Sequence, residues 1–250
     1  MSNPVMASPA EHAQPSKSFV ERFIGVFISP GETFADIARK PDFIAPMIVL
    51  IVMTVAVTET MLAKIGMERI VRASMEQSSR ASSMTPEQID QAVSRGASIG
   101  AIIAHVSGFI GVPLLMVIIA ALGLLFVNAI FGGQMKFDAA LSVACYANLP
   151  SVLGAIMAVA LIFFGDPEHF NATSPVPSNL GFFLDPLTTA KPLMVLASSL
   201  DIFTIWFMIL LGIGYSAASG GKLKAVTIFL CFFGLRAVLL LAQMGLAMFM

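Results

Sequence analysis

The chain has 250 residues, of which 57% are apolar and 12% charged, with a formal net charge of −1 and a mean hydropathy of +0.88. A water-facing surface needs about 25% charged residues, so this composition excludes an ordinary soluble globule and a disordered chain. Residues 1–45 and 64–98 hold 18 of the charges, a segregation that a bilayer imposes because its hydrocarbon core rejects charge.

Residues 1–18 carry three prolines, Glu11, His12 and Lys17 and no apolar run. They read as a disordered tail and not as a cleaved signal peptide. A cytoplasmic amphipathic region over 19–42 follows. Phe19, Val20, Phe23, Ile24 and Phe27 recur at helical spacing opposite Glu21 and Arg22, the pattern of a helix lying in the membrane interface. Ser29-Pro30-Gly31-Glu32 then has the order of a capping box with Pro at the first helical position. It opens a short helix bearing Phe34, Ile37 and Ala38 that Pro41 ends. The plain reading is a pair of membrane-surface helices. The sharper one is a docking surface for a partner, using Phe23, Phe27, Phe34 and Ile37.

A membrane span needs about 20 apolar residues. Five stretches qualify, at about Ile44–Ala63, Ile99–Ile130, Ala139–Phe164, Leu193–Tyr215 and Val226–Met250. The fold class is therefore an all-α polytopic membrane domain over 43–250. Between the first two spans, Lys64, Glu68, Arg72, Glu76 and Arg80 alternate in sign at four-residue intervals. Such pairs support helix, so the first span is predicted to run on to about Arg80. Ser82 and Ser83 break it, and Thr85-Pro86-Glu87-Gln88 restarts a helix with a second capping box. The result is a helical hairpin standing off the membrane.

Gly96, Gly100, Ala104 and Gly108 share one helix face, a ridge that lets a neighbouring backbone approach closely in lipid. Pro113 and Pro150 should kink the second and third spans. Cys145 and Cys231 lie in apolar runs without polar partners and read as small core residues, with no disulfide or metal framework.

Within the spans the ionisable groups are Glu59, His105, Asp201 and Arg236. Charge inside a membrane is costly and points to function or to a specific partner. Rise per residue puts Glu59, His105 and Asp201 at one level, roughly 8–12 Å from the outer boundary. They are candidates for a proton or cation site, or for a hydrogen-bonded cluster that fixes helix register. Asp201 and Arg236 lie on consecutive spans joined by a short loop, about 6 Å apart in depth, and are predicted to form a buried ion pair; the alternative is that Arg236 lines a water-filled crevice or meets Glu59.

Orientation follows from the loops. Residues 216–225 carry Lys222 and Lys224 and no acid, whereas residues 165–192 carry Asp166, Glu168 and Asp185 against Lys191. Basic short loops are cytoplasmic, which puts the N-terminus inside and the C-terminus outside. An Asn171-Ala172-Thr173 sequon falls on the external side. The sequence has no HExxH, GxSxG or P-loop pattern, so no enzyme chemistry and no cofactor are expected. Nothing in the charge points to nucleic acid.

Three segments then combine. Ser29-Pro30-Gly31-Glu32-Thr33-Phe34 through Ile37 to Pro41 precedes the first span. Gly132-Gly133, Phe137, Leu141-Ser142, Tyr146 and Leu149-Pro150 lead into the third. Ser199-Leu200-Asp201-Ile202-Phe203-Thr204-Ile205-Trp206 and Gly212-Ile213-Gly214 lie in the fourth. In order and placement this resembles the Yip1 domain family of five-span membrane proteins, especially its prokaryotic members, over about residues 19–250. The resemblance implies a cytoplasmic N-terminal region. Eukaryotic members that it resembles act in vesicle trafficking and bind prenylated Rab GTPases; their long acidic N-terminal domain has only a short tail as its counterpart here, and that role is not carried across.

The sequence therefore predicts a non-enzymatic scaffold or adaptor in the bacterial cytoplasmic membrane. Its contact surface would be Phe19–Pro41 with Lys222 and Lys224, facing a cytoplasmic or membrane protein partner or a second copy of the chain. The rival reading is a small-solute or ion carrier built on Glu59, His105 and Asp201.

Overall fold

The computed structural model describes residues 16–76, 83–165, 176–185 and 188–248. Most of the predicted tail, Arg80, Ser82 and the sequon lie outside the described residues. Two short helices, α1 (Phe19–Ile28) and α2 (Pro30–Arg39), precede the bundle. The first span is α3 (Ile44–Lys64), followed by α4 (Met67–Glu76). The second is α5 (Pro86–Val106) and α6 (Val112–Leu124), and the third α7 (Phe137–Ala147) and α8 (Pro150–Phe164). Then come α9 (Lys191–Ser199), α10 (Ile202–Ala218) and α11 (Ala225–Ala247). Among the described residues no strand forms; Asn179 and Asp201 make an isolated antiparallel bridge.

Among the described residues, four helical stretches are long and apolar enough to cross a membrane: Ile44–Lys64, Pro86–Ile130, Phe137–Phe164 and Ala225–Ala247. Their outer faces are strongly apolar: Ile102 is 66% exposed, Ile110 61% and Val238 64%. A contiguous exposed apolar surface of this kind belongs against lipid. The predicted fourth span is the exception. It breaks at Leu200–Asp201, leaving α10 with 17 residues.

The core is built around α7, whose residues from Ala139 to Ala147 are all buried. α6, α10 and α2 pack against it, α11 packs on α10, and α3 packs on α8. Small residues make this possible. Alanines on α7 present little bulk, so three helices close around it.

The helical hairpin is present, with one correction. The first span does not continue to Arg80: it ends at Lys64, and Gly66 takes a left-handed φ of +83° before α4 begins. Glycine enters that region without the steric cost that other residues meet. The break separates Lys64 from Glu68, so the predicted charge ladder is split. Lys64 instead sits 4.0 Å from the centre of the Phe163 ring, and Arg72 reaches across to Asp90 at 2.7 Å. The glycine ridge packs as predicted. A Cβ on Gly96 would meet Val71, on Gly100 Met67, and on Gly108 Val55, which sets α3–α4 antiparallel to α5.

Both proline breaks occur. A π-helical turn over Ser107–Gly111 leads into α6, with Pro113 in its first turn. Such a turn accommodates the backbone hydrogen bond that proline cannot donate. Pro150 starts α8 after a break at Asn148–Leu149.

Candidate functional site

The first candidate region is the end of the bundle where α1, α2 and the α10–α11 loop meet. α1 starts at a capping box that the spacing did not single out. Ser18 caps it, and the Glu21 carboxylate accepts bonds from the Ser18 N–H at 2.7 Å and hydroxyl at 2.8 Å. These bonds hold the Glu21 carboxyl below its ordinary value. A lowered folded pKa stabilises above the ordinary carboxylate range and is lost as pH falls through the lowered value, so this helix start loosens in acid. The predicted box at Ser29 and Glu32 does not form: Ser29 makes no side-chain capping bond. Its ψ of 66° leaves the extended conformation that a capping serine needs.

The underside of the α1–α2 hairpin is packed into the bundle. Phe34 and Ile37 are fully buried, with no exposed area, and Val26 is 1% exposed. Phe34 lies over Gly214 of α10, where a Cβ would stand 2.9 Å from its ring. Phe27 meets Trp206 edge-on at 5.6 Å, and Phe19 and Tyr146 lie 6.3 Å apart. This corrects the predicted docking surface. Phe34 and Ile37 are consumed by packing, and Phe23 and Phe27 are half-buried.

Arg22 was read as part of the polar face; it points inward. Its Nε donates to Asp36 Oδ2 at 2.9 Å, with the two side chains 4% and 3% exposed. The Lys17 N–H donates to the same oxygen at 3.2 Å, and Arg39 reaches Asp36 Oδ1 at 3.4 Å. One carboxylate thus ties α1, α2 and the entering chain. The sequence signal was an α1 apolar almost all round, since Val20, Ile24 and Ile28 form a second stripe that is 62%, 50% and 78% exposed. A helix apolar on all sides is buried on one and lies against lipid on another.

Beside this lock an open cleft of about 840 Å³ lies between α2 and the end of α10, lined by Lys17, Glu32, Arg39, Ala217 and Gly220, among others. The α10–α11 loop forming one wall is stapled. The Ser216 hydroxyl donates to Leu223 O at 2.6 Å, the Ser219 hydroxyl to Ser216 O at 2.7 Å, and the Leu223 N–H to Ser219 Oγ at 3.4 Å. Lys222 and Lys224 remain exposed on it.

The second candidate region is the set of intramembrane charges. Glu59 and His105 are brought together at 3.0 Å on the outer side of the α3–α5 pair, about half exposed. Asp201 does not join them. It caps α10, accepting from the Thr204 N–H at 2.8 Å and the Ser178 hydroxyl at 2.5 Å. The predicted Asp201–Arg236 pair is therefore absent, and Arg236 donates to Ser199 Oγ at 3.3 Å. The break at Leu200 gave Asp201 a helix N-terminus to cap, which leaves no need for a cation. Asp201→Ala should cost about 0.5–2 kcal/mol through the lost cap. Its effect should add to that of Arg236→Gln in unfolding measured in detergent. A coupling above about 1 kcal/mol would restore the ion pair.

No curated protein and no solved structure gives a match to this chain. The family model described as Yip1 domain matches residues 24–244, from within α1 to within α11, so the chain is a multi-pass membrane protein that belongs to the Yip1 domain family.

Proposed function

We propose that the protein is a non-enzymatic scaffold or adaptor of the bacterial cytoplasmic membrane, working from a cytoplasmic face made by α1, α2 and the 216–225 loop. The observation that carries this reading is the Arg22–Asp36 lock. It ties α1 to α2, and the burial of Phe34 and Ile37 seats the pair on the bundle, so Ala35, Arg39, Lys40, Lys222 and Lys224 stand exposed on one surface. That rim takes the place of the buried phenylalanines as the partner-binding surface. A photo-crosslinker at Ala35 in living cells should give one adduct of defined mass, lost in the Lys222→Ala, Lys224→Ala variant. A crosslinker at Phe183, 71% exposed and on the opposite side, should give none. Adducts only at Phe183 would overturn the reading.

The Glu59–His105 pair supports the carrier as a second reading, since a carboxylate and an imidazole in contact can hand on a proton. Its third member is engaged elsewhere, which weighs against it. Liposomes carrying the protein should show no pH-driven flux above empty liposomes. Flux abolished by Glu59→Gln would favour the carrier.

A further inference from the structure

We infer that the cleft between α2 and the end of α10 binds a phosphate oxyanion, of the kind carried by an anionic phospholipid headgroup. Three observations meet there. The first is charge. Asp36 already carries Arg22 at 2.9 Å, so Arg39, at 3.4 Å from the other oxygen and 59% exposed, is left only partly neutralised. Lys17 has a long contact of 3.8 Å to Glu32, which is itself 82% exposed. The cleft lining thus carries two cations, Lys17 and Arg39, against one carboxylate, Glu32, and Lys222 and Lys224 follow its glycine wall on a loop with no acid.

The second is shape. The floor is Ala35, Ala38, Ala217 and Ala218, and the wall is Gly220 and Gly221. Both glycines have φ near +70°, and a Cβ on either would meet nothing within 4 Å. The glycine wall thus borders open space and not side chains. A guanidinium presents a planar fork that matches phosphate oxygens in pairs.

The third is depth. Ala217 and Ala218 are the last residues of an apolar helix, and Lys17 precedes α1, whose exposed stripe of Val20, Ile24 and Ile28 suits the edge of the acyl region. The cleft opens where a span leaves the hydrocarbon, at the level of lipid phosphates. Basic groups at that level attract anionic headgroups.

The test uses the full chain, delipidated in detergent and observed by native mass spectrometry. Phosphatidylglycerol and phosphatidylcholine are offered in equal amounts, and inorganic phosphate is added in a separate thermal-unfolding arm. Wild type should retain phosphatidylglycerol over phosphatidylcholine by about tenfold, and Lys17→Ala with Arg39→Ala should reduce the preference to about twofold. Lys191→Ala, between the third and fourth spans, should leave it unchanged. Both cleft side chains reach solvent, and the Asp36 bond to the Lys17 backbone survives the change, so the variant should keep its folded yield. Protection by inorganic phosphate in wild type only, with no lipid preference, would assign the same site to a free phosphate. Equal lipid retention by wild type and the double variant, without phosphate protection, overturns the inference. The scaffold reading is tested by crosslinking and stands or falls separately.

Discussion

Asp36→Asn should cost about 3–5 kcal/mol of stability, because removing one member of a buried pair leaves the other charge uncompensated. Asp36 is 3% exposed in its side chain and receives Arg22, Arg39 and the Lys17 N–H. An asparagine offers one acceptor oxygen and no charge, so Arg22 would stay desolvated at 4% exposure with a neutral partner. Denaturant unfolding in detergent reads the loss. The double variant Arg22→Met, Asp36→Leu should recover most of it, since apolar replacements of a whole buried pair are often neutral or stabilising. A single-variant loss below about 1 kcal/mol would mean that water reaches the pair.

Phe34→Ala should cost about 3–5 kcal/mol, the usual range for truncating a buried aromatic side chain. The ring is completely buried between α10 and α7, against Gly214 and next to Val143 at the same glycine. This result separates packing from docking. A residue exposed to bind a partner would lose binding on truncation and leave unfolding unchanged. Ala35→Ser, one position along on the exposed face, should change stability by less than about 0.5 kcal/mol.

The spans were legible because lipid demands long apolar runs; α3, α7–α8 and α11 follow them within a few residues, and α5–α6 carries the second on a helix that begins earlier, at Pro86. The glycine ridge was legible for a similar reason: small side chains at four-residue spacing have little use except close approach. The failures share a cause. Arg22, Asp36, Ser29 and Asp201 are short-range polar residues whose partners depend on tertiary placement. Arg22 and Asp36 are 14 positions apart, beyond any helical periodicity, and pair only because the chain reverses at Ser29–Pro30. Asp201 could be assigned an ion pair only while the fourth span was taken as continuous. Gly66 was visible in the sequence, but the charge ladder on either side outweighed it. A glycine inside a helix costs about 1 kcal/mol, more than the one or two ion pairs that bridge it contribute at about 0.2–0.5 kcal/mol each.

In the proposed arrangement α1–α2 and the 216–225 loop form one face in the cytoplasm. Impermeant maleimide labelling of single cysteines tests it, with Cys145 and Cys231 replaced by alanine and sealed vesicles prepared in both orientations. Lys40→Cys and Lys222→Cys, both at exposed positions, should label only when the cytoplasmic side faces out, and Phe183→Cys only in the opposite orientation. Labelling of Lys40→Cys and Lys222→Cys from opposite sides, or of both from the external side, would contradict it.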